Sequence, residues 1–451
     1  MVSPERGLPD VIELRRGQAG FDPAQSRNIK WVAKLGSITY SSPAVAGGRV
    51  YIGTNADVPG ATADAKGGGA FLCLDAATGR LLWQVCFPRY MTRDPLFNFD
   101  HLKAGVCSSP TVEGDRVYLV NNRAEVVCLD AQAGGKVLWK FDMLTEKHVS
   151  CWPQDAADCS PLVLGDLVYV CTSNGVDKSH KRIPRPDAPS IIALDKKTGS
   201  LVAADDARIG PGIFHGEWSS PAVVRVDGRD LIVHGGGDGW CYAFDATPAP
   251  GPAGKPAVLR TVWKFDCNPP EYRMKGGKAL AYKTPAGPSE IIATPVVWNG
   301  RVYVNIGQDP AHGTGAGHLV CIDPRGSGDI TKSGLVWSCR QIDRSISTVA
   351  IADGLLFTAA IAGTVHCVDA HTGERHWTYD ARSPIWGSPL AADGKVYIGT
   401  TAGELLILAA SRQMRLIHRA GLGGKLYATP VAANGVLYVA TSSHLLAASV
   451  K

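Results

Sequence analysis

The chain has 451 residues, with 46 Lys and Arg against 41 Asp and Glu, a formal charge of +5 at pH 7. So small and dispersed an excess excludes a nucleic-acid or anionic-membrane surface as its organising feature. Hydrophobic residues make up 45% and charged residues 19%, enough to bury a large core, and no apolar run reaches the roughly 18 residues that a transmembrane helix needs.

In chain order, residues 1–27 read as an N-terminal arm without the apolar region of a signal peptide. "NIKWVAKLG" follows and has the character of a strand with no partner before it. From Ser41 a unit recurs: "SSPAVAGGRVYIGT", "SSPTVEGDRVYLVN", "CSPLVLGDLVYVCT", "ATPVVWNGRVYVNI", "GSPLAADGKVYIGT" and "ATPVAANGVLYVAT". "SSPAVVRVDGRDLIVHG" fits with a longer turn, and "ISTVAIADGLLFTA" fits with Val in place of Pro. The anchors are Pro43, Pro110, Pro161, Pro221, Pro295, Val349, Pro389 and Pro430, so there are eight units. Five show a second half, "FLCLDAATGRLLW", "VVCLDAQAGGKVLW", "IIALDKKTGSLVA", "LVCIDPRG…LVW" and "VHCVDAHTGERHW": a strand, a turn opened by Asp and typified by Asp-x-x-Thr-Gly, and a further strand that carries Trp in four of the five. Four antiparallel strands repeated eight times predict an all-β, eight-bladed propeller as one unit over residues 28–451. The last unit, ending "SSHLLAASVK", has only three strands, so the strand around Trp31 is expected to complete it and close the ring.

The repeated residues have structural readings. Asp75, Asp130, Asp195, Asp323 and Asp369 open turns. Trp31, Trp83, Trp139, Trp263, Trp337 and Trp377 share one register and should pack between blades. Cys73, Cys128, Cys321 and Cys367 share another and read as small core residues. Cys86, Cys107, Cys151, Cys159, Cys267 and Cys339 fall in connections, where a disulfide is open. These motifs resemble the pyrroloquinoline-quinone (PQQ)-like propeller repeat, through the Asp-Ala-x-Thr-Gly-x-x-x-Trp docking sequence and the proline opening each inner strand. The resemblance runs from about Asn28 to Lys451 and also fits uncharacterised exported propellers. It implies a periplasmic or secreted location, and it spans two kinds of protein, quinoprotein dehydrogenases and outer-membrane assembly lipoproteins.

Loop length shows where the elaboration lies. The first and third turns of a blade lie on one face; the second-to-third loops and the blade-to-blade loops lie on the other, the top. Anchor to repeat Asp takes 20 residues in blades two and six, but 32, 34 and 28 in blades one, three and five. The inserted length therefore falls on the top face of blades one to five, which is read as the working face. "GQDPAHGTGAGH" (307–318) is blade five's top loop. It precedes a strand, not a helix, so it does not fit a phosphate cradle. It brings Gln308, Asp309, His312 and His318 toward the rim, as solvated loop groups or as a metal site.

The position three before each anchor should ring the channel mouth: Tyr40, Cys107, Asp158, Trp218, Ile292, Ile346, Trp386 and Tyr427. Its aromatic members could stack on a flat ligand or simply pack on one another. "FHGEWSSP" sets His215 and Glu217 beside Trp218, and "DRSIST" sets Arg344 on the rim as an anion clamp. "VNNRAE" adds Asn121, Asn122 and Arg123; "SNGVDKSHKR" adds Asn174, Asp177, Lys178 and His180. The expected ligand sector is Tyr40, Asn174, His215, Glu217, Trp218, Gln308, Arg344 and Trp386, with Trp218→Ala and Arg344→Ala together expected to abolish binding and spare the fold. Two functions follow. One is a module binding a small molecule or protein on its top face. The other, implied by the resemblance, is a quinoprotein-type dehydrogenase of alcohols or sugars holding PQQ with calcium or a lanthanide. The adjacent cysteine pair and the Cys-x-x-Cys-His motif of many such enzymes are missing from the sequence, and no metal ligand is carried over from the family.

Overall fold

A computed structural model of the protein describes residues 1–17 and 20–450, and it shows eight antiparallel sheets arranged radially as blades. Blade one consists of Ala44–Ala46, Arg49–Asn55, Gly69–Asp75 and Leu81–Phe87, paired in that order from the axis outward. The last blade has Val431–Ala433, Val436–Ala440 and His444–Ala448 from the C-terminal end of the chain. Its outer strand is Ile29–Lys34, antiparallel to His444–Ala448, so the N-terminal strand closes the ring as the repeat requires.

Three repeated devices build this ring from the sequence. In the outer turn, the Asp75 carboxylate accepts from the backbone N–H of Thr78 at 2.8 Å and from its hydroxyl at 2.8 Å. Gly79 takes the left-handed conformation, φ 73°, that only glycine adopts freely. The Trp of one blade then lies on the turn glycine of the next: Trp31 on Gly79, Trp83 on Gly135, Trp139 on Gly199 and Trp337 on Gly373. Each indole N–H donates to a carbonyl of that neighbour, as Trp31 does to Ala76 at 3.1 Å and Trp337 to Ala370 at 3.1 Å.

The third device surrounds the axis. The residue before each anchor is Ser or Thr, and at seven of the eight its backbone N–H donates to the hydroxyl of its counterpart in the next blade: Ser42 to Ser109, Ser109 to Ser160, Ser160 to Ser220, Thr294 to Thr348, Thr348 to Ser388, Ser388 to Thr429, and Thr429 back to Ser42. The recurrent Ser/Thr-Pro pair is thus a belt of hydrogen bonds, satisfying backbone donors that the short inner strands leave unpaired.

Two outer turns do more than reverse the chain. The long third turn of blade four sends Ala257–Leu259 back to pair in parallel with Leu201–Asp205 of blade three. That of blade five sends Gly328–Asp329 to Thr261–Asp266 of blade four. The arm before Ile29 runs across the other face, under blades seven and eight. Leu8 and Ile12 are buried there, and Lys395 donates to the Leu8 carbonyl. All twelve cysteines are free thiols, and Cys73, Cys128, Cys321 and Cys367 are buried in the core. No helix among the described residues is long and apolar enough to cross a membrane.

Candidate functional site

The top loops of blades three, four and five converge at the channel mouth. Blade three's loop is tied down by Asp177, which is buried: its carboxylate accepts from the Ser179 N–H at 3.0 Å and from Arg182 Nε at 3.3 Å. That turn holds His180 at φ 55° and sets its ring 4.8 Å from the ring of His215. His215 comes from blade four's approach to the axis and is 2% exposed. Blade five's loop makes a short 3-10 turn over Pro310–His312, capped by Asp309, whose carboxylate accepts from Ala311 N–H at 2.7 Å. The turn brings the His312 ring to 4.7 Å from His215 and 5.8 Å from His180.

Two carboxylates complete the cluster. One ligand atom each of Asp155, His215 and Asp309 lie within 4.8 Å of one another, as do those of the three histidines. Burial governs the protonation of this mouth. It holds His215 well below the usual imidazole range and His312 down at about 4, helped in both by neighbouring positive or imidazole groups including Lys283. His180 is lowered too, again mainly by burial. The same desolvation raises Asp155 and Asp158 to about 6 and Glu290 well above its ordinary value.

A relay fixes one histidine. The Tyr282 hydroxyl donates to Glu290 Oε1 at 3.0 Å and lies 2.9 Å from His312 Nδ1. The phenol thus stands between the carboxyl group and the ring and engages His312 through Nδ1. Nε2 is the His312 nitrogen left for a ligand.

The sequence-derived candidates divide into three groups. His215, Trp218 and Gln308 are at the cluster: the Trp218 ring packs 5.1 Å from His215 and its indole N–H donates to Ala156 at 3.0 Å, while Gln308 adjoins Asp309 and donates to Pro288 at 2.7 Å. Tyr40 and Trp386 are across the mouth, stacked with Tyr427 at centroid distances of 4.8–6.2 Å, so these three rings pack on one another. The remaining three are interior. Asn174 joins loops, accepting from Trp152 N–H and donating to Arg185, both at 2.9 Å. Glu217 is fully buried, 3.8 Å from His234. Arg344 is not exposed on the rim but 1% exposed, its guanidinium donating to the carbonyls of Thr284 and Thr314 and sealed by Gly315. Arg344→Ala is therefore expected to disturb the fold, contrary to the reading from sequence.

His318 also leaves the site: it is in a strand, its Nδ1 2.8 Å from the Cys267 carbonyl. Asn121 and Asn122 are buried turn residues, bonded to Glu125 and Pro88. Tyr282, Glu290 and Asp155 were not singled out in the sequence. They belong to no repeat and to no motif; only the length of their loops marked them.

The fold and its elaborated mouth define a β-propeller of the PQQ-like class. A family model described as outer membrane protein assembly factor BamB matches residues 67–247, 273–379 and 315–416, well over half of the chain, and the chain belongs to that family. Curated relatives include quinohemoprotein alcohol dehydrogenase ADH IIB of Pseudomonas putida, 28% identical over 210 residues, covering 45% of this chain and 25% of that protein. ADH-IIG of the same organism is 27% identical over 291 residues, covering 62% of this chain and 33% of that protein. The chain thus matches only a quarter to a third of the length of these dehydrogenases. Among solved structures, BamB from Moraxella catarrhalis superposes with a TM-score of 0.62 at 14% identity, over 93% of this chain and 99% of that one. A europium-containing methanol dehydrogenase gives 0.59 at 14% identity, over 92% and 84%. At such identity these likenesses establish the fold alone.

Proposed function

We propose that the protein is a binding propeller that takes a small ligand at the channel mouth between blades three, four and five. The observation that supports this most is the convergence of three inserted loops on buried polar atoms without a protein partner: His215 Nδ1, Asp158 Oδ1, Glu290 Oε2 and Gln308 Oε1. Each such atom costs about 1–3 kcal/mol when left unmade, and a ligand in the mouth recovers part of that. Belonging to a family described by an outer membrane assembly factor supports an exported, periplasmic location, with a protein as an additional partner of the top face.

The second reading is a quinoprotein-type dehydrogenase with PQQ and calcium or a lanthanide, favoured by the dehydrogenase relatives. The side chains of the mouth fit that cofactor poorly. PQQ is a flat tricarboxylate, yet Arg344 is spent on backbone carbonyls, Tyr40, Trp386 and Tyr427 fill the space against each other, and Asp155, Asp158 and Asp309 set acids at the opening. Calorimetric titration of chelator-treated protein with PQQ, alone and with calcium or lanthanum, separates the readings. The binding reading predicts no saturable heat with the quinone and no dye-linked alcohol oxidation. Saturable, metal-dependent binding at micromolar affinity or tighter would overturn it in favour of the dehydrogenase.

A further inference from the structure

We propose that the channel mouth holds a first-row divalent cation of the zinc class, bound by His180, His215 and His312 with a carboxylate from Asp155 or Asp309. This deepens the binding reading above and rests on it. Three imidazoles suit zinc, nickel, copper or iron(II), whereas calcium and lanthanides favour sites made of oxygen.

Three observations carry the assignment. The first is geometry: the histidine ligand atoms lie within 4.8 Å of one another, and bonds of 2.0–2.1 Å in a tetrahedron put ligands about 3.4 Å apart. Small rotations of rings already in contact close that difference. The second is an unanswered group: His215 is 2% exposed, its Nδ1 meets no donor or acceptor, and it is the residue common to the histidine and the carboxylate sets. Buried polar atoms are almost always paired, so one left open on a ring shared by two sets of ligating side chains points to a cation among them. The third is the Tyr282–Glu290 pair, which engages His312 at Nδ1 and so orients the ring from behind, with Nε2 left for a ligand. Metal-ligating histidines are held in this way through their other nitrogen.

The surroundings agree in sign except for two cations, Lys283 and Arg344, the latter acting on His312 while bonded to the carbonyls of Thr284 and Thr314. Asp155, Asp158 and Asp309 interact electrostatically with one another, a repulsion that a cation relieves. Lys283 opposes it, being near enough to act on all three histidines, but it is exposed and on a loop. His180 is exposed while His215 forms the floor, so the ion has a route in and a side open to a further ligand.

The test titrates chelator-treated full-length protein with Zn²⁺ and Co²⁺, by calorimetry and by the visible spectrum of cobalt, with Ca²⁺ as comparison. The expected result is one zinc per chain at micromolar affinity or tighter, with a cobalt spectrum of nitrogen-rich, low-coordinate geometry. His215→Ala should weaken zinc at least about 100-fold, and Tyr282→Phe by roughly 10-fold, the size of effects from outer-shell partners. His180→Ala is the variant least able to disturb folding, since the residue is exposed; it should cost at least about 10-fold with an unchanged melting temperature in chelator. Absence of saturable zinc or cobalt binding, or affinity unchanged in His180→Ala and His215→Ala, would overturn the assignment. So would calcium binding preferred over zinc and lost only on Asp155→Asn or Asp309→Asn. Failure here leaves the PQQ titration untouched, so the two readings fall separately.

Discussion

Thr429 donates its backbone N–H to the hydroxyl of Ser42 at 3.0 Å, joining the last blade to the first across 387 residues of sequence. It is the closing link of the Ser/Thr belt around the axis, formed beside the strand exchange that seals the ring. Ser42→Ala leaves that buried N–H without an acceptor and should lower stability by about 1–3 kcal/mol. Ser42→Thr, the residue used at 294, 348 and 429, should restore most of it. Chemical denaturation checks both; an Ala variant as stable as the parent would show that the belt adds nothing.

The Trp-on-glycine contact gives a second prediction. A Cβ on Gly79 would meet the Trp31 ring at 2.6 Å, and φ is 73°. Gly114, in a first turn, has φ 59° but open space around it. Gly114→Ala therefore reports the backbone penalty alone, about 1–2 kcal/mol, while Gly79→Ala adds a clash at the ring closure and should cost about 2 kcal/mol more. Equal losses in thermal unfolding would mean that the indole simply moves aside.

Much of this was legible in the sequence. Proline anchors, Asp-x-x-Thr-Gly turns and Trp recur at fixed register, and a repeat states its geometry eight times. A Ser or Thr before every anchor is equally present in the sequence, but its partner lies in the next blade, and only the assembled ring brings the two together. The site resisted for the opposite reason. His180, His215 and His312 come from three different blades, each once, in loops that follow no period. His318 looked like the partner of His312 because it is near in sequence, yet the strand turns it toward Cys267. Arg344 looked like a rim cation because charge in a loop is usually solvated; the lid formed by the blade five loop buries it.

That lid supplies a third prediction. Arg344→Ala strands the carbonyls of Thr284 and Thr314 and should cost about 2–4 kcal/mol, as breaking a buried network does. Limited proteolysis should then find new cleavage between 276 and 316. An unchanged digestion pattern with full stability would mean that the loop is held by its other contacts.

A fourth prediction concerns pH. Asp238 is 9% exposed and accepts from the Tyr242 hydroxyl at 2.6 Å and Trp240 N–H at 3.0 Å. Burial nevertheless raises its pKa from 3.8 to about 6. The folded chain then holds a proton there that the unfolded chain has released. This contribution is present in full below about pH 4 and is lost as pH rises through about 6, roughly 2–3 kcal/mol in all. Other buried acids act in the same window, so the comparison is between the parent and Asp238→Asn. Denaturation at pH 4, 5, 6 and 7 should show a shallower fall for the variant; identical slopes would mean that Asp238 titrates as it does in the unfolded chain.

On the proposed reading, the inserted loops of blades three, four and five exist to build one site at the channel mouth. The most direct measurement is an anomalous difference map at the zinc absorption edge, from crystals of the full chain grown with one equivalent of zinc. The expected result is a single strong peak among His180, His215 and His312, about 2.0–2.1 Å from the imidazole nitrogens. A mouth without a peak, or zinc held only on the outer surface of the blades, would contradict it.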